Sequence, residues 1–120
     1  MNDHNATILA IIKSRPNNLA NAISQHDIAN EFILRRNENI TLRRVRRIIE
    51  SLIEDGEPII STPHNPGGYC WGNKEMEITE CVNRLRKKAA KIFIRARRIK
   101  RNYLIEKAKR KNIIQLNIFA

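Results

Sequence analysis

The chain has 120 residues, with 23 Lys or Arg against 12 Asp or Glu and a formal net charge of +11 at pH 7. That length fits one small domain plus an appendage, and so strong a positive balance points to a polyanionic partner. Two cysteines, Cys70 and Cys81, imply no disulfide scaffold and fit a reducing cytoplasm. The early apolar run at Ile8–Ile12 is too short for a secretory signal or a membrane span, so a cytoplasmic protein with no membrane partner is expected.

The charge is unevenly placed. Residues 84–111 hold 14 Lys or Arg against one acid, Glu106, a net of +13; residues 1–83 hold 9 against 11, a net of −2. The basicity therefore belongs to the C-terminal segment. Three segments are expected: a domain over 1–73, a long basic helix over 74–111, and an apolar tail over 112–120.

In chain order, residues 5–14 predict a first helix, with Ile8, Ile11 and Ile12 inward and Pro16 ending it. A loop follows, with a very short strand at Ala22 and Ile23. Ser24 is the N-cap of a second helix over 24–34. Asp27 sits at the capping-box position, Ile23 and Ile28 form a hydrophobic staple, and Ile28, Ala29, Phe32 and Ile33 form the buried face.

A third helix starts after Thr41, its N-cap, with Ile40 and Val45 as staple. Leu42, Val45, Ile48, Ile49, Leu52 and Ile53 recur at spacings of three and four and share one face. Gly56 stops the helix. Arg43 and Arg47 lie opposite the apolar face, and Arg44 and Arg46 flank it. This pattern permits two readings. One is a solvated face with partners such as Arg46 to Glu50. The other is a DNA-reading face, since arginine forks suit guanine edges and phosphates.

Residues 58–62 predict a strand and 69–71 its return, joined by the turn-forming tip Pro63-His64-Asn65-Pro66-Gly67-Gly68. Three helices followed by a hairpin is the order of a winged helix. The segments Asp55-Gly56-Glu57-Pro58-Ile59-Ile60-Ser61 and Gly68-Tyr69-Cys70-Trp71 resemble those of the winged-helix DNA-binding superfamily, and more closely of small winged-helix proteins encoded by bacteriophages. The resemblance covers about residues 5 to 72. It implies a mainly α fold with a small β-hairpin, a winged helix-turn-helix followed here by a long C-terminal helix. It also implies a third helix in the major groove and a wing on the backbone or minor groove. Arg43, Arg44, Arg47, His64 and Asn65 are then candidate contacts to double-stranded DNA, with Arg95 and Arg98 of the basic segment beside them. A phage-encoded protein would act in the host cytoplasm.

No Gly or Pro occurs after Gly72. Ile78, Val82, Leu85, Ala89, Ile92, Ala96, Ile99 and Tyr103 alternate four and three apart, which is a heptad seam. Its first turns are expected to pack on Tyr69, Trp71 and the first helix. The rest of the seam has three readings: a homodimer, an arm that binds a polyanion, or pairing with an acidic helix. The flanking Arg86, Lys88, Arg95 and Lys100 are all positive, which opposes a parallel homodimer.

At the C-terminus, Gln115-Leu116-Asn117-Ile118-Phe119 resembles the peptide by which bacterial proteins bind the DNA sliding clamp, patterned Q-L-[SD]-L-F. Gln115, Leu116 and Phe119 match, and Ile118 departs from the pattern. The resemblance implies Gln115, Leu116, Ile118 and Phe119 as clamp-binding residues; the competing reading is a terminal strand or an apolar plug that caps the coiled coil.

No catalytic constellation, zinc-ligand spacing or phosphate loop is present, so neither an enzyme nor a cofactor or metal is expected. Three functions remain. The first is a replication or recombination accessory factor that holds DNA and reaches the sliding clamp. The second is a dimeric transcriptional regulator, and the third an adaptor or inhibitor that captures a host protein.

Overall fold

A computed structural model describes residues 2–62 and 67–119, with side chains as far as residue 113. Helices α1 (Asp3–Lys13), α2 (Gln25–Arg36) and α3 (Leu42–Glu54) precede an antiparallel hairpin, β1 (Ile59–Ser61) and β2 (Tyr69–Trp71), and then α4 (Glu75–Phe119). The fold is mainly α with a small antiparallel β-hairpin and a long C-terminal helix, and its elements follow the order expected of a winged helix-turn-helix. Two compact units are formed, Met1–Val82 and Asn83–Ala120.

Caps set the helix starts. The α1 helix begins earlier than position 5, because Asn2 Oδ1 accepts from the His4 N–H at 2.7 Å and the Asn5 N–H at 3.4 Å. It ends at a Ser14 cap, before Pro16. Ser24 Oγ accepts from the Asp27 N–H at 3.1 Å and starts α2. That helix runs two residues past Leu34, to Arg36, where Asn37 takes a left-handed conformation at φ 53°. Thr41 Oγ1 accepts from the Arg44 N–H at 3.1 Å to start α3. After it, Gly56 adopts φ 108°, a backbone conformation that costs a side-chain-bearing residue strain.

The helices meet in one apolar core. Ile8, Ile11 and Ile12 of α1, Ile28, Ala29 and Phe32 of α2, and Val45, Ile48, Ile49 and Leu52 of α3 are buried there with Ile23 and Ile59. Ile33 is only half-buried, and Ile53 is 48% exposed, contrary to the inward placement its spacing suggests. Both sit at an edge of their helix's apolar arc.

The hairpin forms a layer with two faces, because side chains alternate along a strand. Ile59 pairs with Trp71 and Ile60 with Cys70. Ile59, Tyr69 and Trp71 pack against the three-helix core. Ile60 and Cys70 face the other way and form a second cluster with Cys81 of α4, joined by Ile78, Leu19 and Ala22. The first turns of α4 thus pack on the Ile60/Cys70 face and not on Tyr69, Trp71 and α1 as expected. Period-2 alternation assigns those aromatics to the side that α1 already covers. Gly72 permits this approach: a Cβ there would lie 2.9 Å from Pro58 O and 3.2 Å from Ile78 Cγ1.

The segment before α2 contributes a single bridge, Ile23 to Tyr69, preceded by an unforeseen 3-10 turn at Leu19–Asn21 that Asn18 caps. The α4 backbone stays helical past Lys111 to Phe119. No breaker interrupts it, and the residues of 112–119 are compatible with helix.

Candidate nucleic-acid interface

Seven arginines lie in the first unit, and their partners sort them. Arg15 and Arg35 share the Glu31 carboxylate at 3.5 and 3.3 Å. Arg36 lies 3.9 Å from Glu38. Arg46 donates to Gln25 Oε1 at 3.4 Å, and not to Glu50 one turn along. Gln25 in turn donates to the Tyr69 hydroxyl at 3.4 Å, so this arginine joins a link across α3, α2 and β2. Among the described residues, Arg43, Arg44 and Arg47 alone of the seven have no ion-pair or hydrogen-bonding side-chain partner, and all three are exposed.

These three form one cluster by helix geometry. Residues three and four apart are surface neighbours at about 5–6 Å between Cβ atoms, which links Arg47 to both Arg43 and Arg44. The Thr41 cap fixes where the helix starts and hence which way the arginines face. Val45, Ile48, Ile49 and Leu52, all buried, hold the opposite side of α3 against the core. The anchored helix presents three forked cations on one exposed face, and such forks suit phosphates and base edges.

The hairpin beside this helix is braced. Thr62 N–H donates to Gly68 O at 2.9 Å, and Gly68 N–H to Thr62 Oγ1 at 2.9 Å, closing the base of the tip. His64 and Asn65 fall at 63–66, outside the described residues. The Trp71 indole donates to Glu57 Oε2 at 3.0 Å, and the Lys13 ammonium sits 5.0 Å from the Trp71 ring centroid. Glu57 and Lys13 are thereby occupied in holding the hairpin root. Nothing in the spacing of Gln25, Glu57 or Lys13 signalled these roles.

Glu77 Oε2 accepts from the Leu19 N–H at 3.0 Å, while Glu77 Oε1 is buried without a partner. Cys70 and Cys81 are buried thiols that are not joined in a disulfide. Burial pushes the Cys70 thiol up to about 11, with Glu77 and then Cys81 adding to it, so the thiol is neutral at pH 7. Among the described residues no group of three or more His, Cys, Asp or Glu is arranged to hold a metal ion, and no helix is long and apolar enough to cross a membrane.

The heptad positions divide. Ile78 is half-buried in the cluster of Ile60, Cys70 and Cys81, so the first position of the expected dimer seam is already covered within the chain. Val82 is at the margin, 37% exposed. In the second unit, Leu85, Ala89, Ile92, Ala96, Ile99 and Tyr103 are exposed, as are Arg95 and Arg98. The side chains of Gln115, Leu116, Ile118 and Phe119 lie outside the described residues. Comparison with known protein families, with curated proteins and with solved structures finds no match for the chain.

Proposed function

We propose that this protein is a non-enzymatic, duplex-DNA-binding accessory factor of replication or recombination. In this reading α3 is the recognition helix, the hairpin is the wing, and Gln115, Leu116, Ile118 and Phe119 tether the chain to a bacterial sliding clamp. The observation that carries the DNA reading is the partnering of the arginines. Every arginine of the first unit outside α3's outer face has an acid or amide partner, whereas Arg43, Arg44 and Arg47 stand together without one among the described residues. The first unit carries no general positive field to attract DNA, so binding by it has to be local to these three. Each well-placed fork on a guanine is worth about 1–3 kcal/mol of discrimination. The clamp tether is supported by the Gln115, Leu116 and Phe119 pattern, and docking as an extended peptide requires the last turns of α4 to unwind.

Two titrations test the reading. Fluorescence anisotropy of a labelled duplex with the full chain should show saturable binding that weakens at least tenfold in Arg43→Ala/Arg44→Ala/Arg47→Ala, the loss expected from about 1.4 kcal/mol or more. Unchanged affinity would remove α3 as the reading element. A labelled peptide of residues 107–120 should bind a bacterial sliding clamp and lose binding on Leu116→Ala/Phe119→Ala; no binding would remove the tether.

A further inference from the structure

We infer that the exposed ridge of α4 between Leu85 and Tyr103 is a docking seam for an acidic amphipathic helix of a partner protein. The occupant has apolar residues on one face and Asp or Glu along both edges of that face. Three observations fix this choice.

The first is the ridge itself. Leu85 is 53% exposed, Ile92 58%, Ile99 61% and Tyr103 61%. With Ala89 and Ala96 they form an unbroken run spaced four and three apart, which aligns with a second helix along its whole length. A helix built only to track phosphates has no use for such a run. The seam ends where its period next calls for an apolar residue and finds Glu106, which pairs with Lys109 at 3.5 Å.

The second is the charge on its edges. The two positions flanking the seam carry Arg86, Lys88, Arg95 and Lys100, together with Phe93 and Asn102, and no acid. The flanking positions of a coiled coil set the choice of partner. A parallel second copy would place Arg95 of each chain against Lys100 of the other. An antiparallel copy would set like edge against like edge, bases again meeting bases. An acidic helix converts each of these contacts into an attraction, in either direction.

The third is length. With Ile78 covered inside the first unit, fewer than three heptads remain, and two of their six seam positions are alanine. So short a seam with small residues buries little area against like-charge repulsion, which disfavours a second copy and requires charge complementarity in addition to the apolar contact. Arg95 then faces a partner carboxylate, whereas Arg98 lies on the far side of the helix and stays available to phosphate.

The test uses the full chain and a fluorescein-labelled peptide of three and a half heptads, with Leu at its seam positions and Glu at its flanks. A second peptide has the same composition in an order that scatters the leucines round the helix. The protein alone should sediment as a monomer and bind the first peptide one to one. Binding should weaken at least tenfold for the scattered peptide and for Ile92→Ser/Ile99→Ser. Arg95→Glu/Lys100→Glu should lose the acidic peptide and gain one with Lys at the flanks, a swap that loss of folding cannot mimic. Equal affinity for both acidic peptides would overturn the proposal in favour of unspecific polyanion binding. A stable dimer in the absence of peptide would give the seam to a second copy. Displacement of the peptide by duplex DNA, with Ile92→Ser/Ile99→Ser weakening DNA and peptide alike, would give it to nucleic acid. Arg43→Ala/Arg44→Ala/Arg47→Ala should leave peptide binding unchanged, so failure of the DNA reading and failure of this one are separable.

Discussion

Tyr69 and Ile23 exchange both of their backbone hydrogen bonds: the Tyr69 N–H donates to Ile23 O at 2.8 Å and the Ile23 N–H to Tyr69 O at 2.9 Å. The return strand of the hairpin is thereby tied to the residue that leads into α2. Because Gln25 also touches both Tyr69 and Arg46, the root of the hairpin and the flank of α3 are registered to one short segment. A hairpin held this way keeps its base in place beside α3.

The close approach at Gly72 gives a stability prediction. Its N–H donates to Pro58 O at 2.6 Å, and a Cβ would stand 2.9 Å from that same oxygen. Backbone cannot yield as a flexible side chain does, so Gly72→Ala should cost about 1–3 kcal/mol, the usual range for overpacking. Urea unfolding followed by the fluorescence of Trp71 measures it; a loss below the error of the melt would mean that the hairpin shifts freely.

Removing the α3 cap should matter more than its exposed position suggests. Thr41→Ala leaves the Arg44 N–H without its acceptor and should destabilise by about 1 kcal/mol, whereas Thr41→Ser should come close to the parent. Thermal melts of the three proteins decide it. An equal loss in the serine variant would point to the Thr41 methyl and not to its hydroxyl.

The raised Cys70 thiol predicts an alkaline loss of stability. Its folded value is about 11 against an ordinary 9.0. Below pH 9 both states hold the proton and the contribution is complete. Between pH 9 and 11 the unfolded chain releases the proton while the folded chain keeps it, so stability falls as pH rises. Relative to Cys70→Ala, which cannot titrate there, the parent should lose stability between urea melts at pH 8.5 and 10.5. Parallel behaviour of the two proteins would show that Cys70 is not the titrating group.

Salt dependence separates phosphate contacts from base contacts in the proposed DNA complex. If Arg43, Arg44 and Arg47 all rest on phosphates, replacing them with alanine should reduce the slope of log affinity against log salt by about 2–3. Reduced affinity with an unchanged slope would place them on base edges.

Much of the first unit could be read without coordinates because its signals are local. Thr41 and Ser24 cap helices that begin at the next residue. The three-and-four spacing from Val45 to Leu52 names the buried face of α3, and the turn residues of 63–68 separate two short strands. The edges were less legible. Whether Ile33 and Ile53 are covered depends on how far a neighbouring helix extends, which periodicity does not encode. The partnering of the arginines was not legible at all, since Arg15 with Glu31 and Arg46 with Gln25 join residues on different helices.

By itself the sequence determined the order of elements, the caps, the inward faces and the concentration of charge after position 83, because each follows from residue spacing and backbone preference within a few turns. Tertiary structure alone decided which surfaces remain free. It buried Cys81 and half-buried Ile78 against Ile60 and Cys70, so the heptad run that reads as one seam from Ile78 to Tyr103 becomes exposed only from Val82 onward. It partnered four of the seven arginines of the first unit and left Arg43, Arg44 and Arg47 on one face of α3. The physical reason is the same in both cases: a side chain's exposure and its electrostatic partners are set by residues distant in sequence, brought near only when the helices pack round the hairpin.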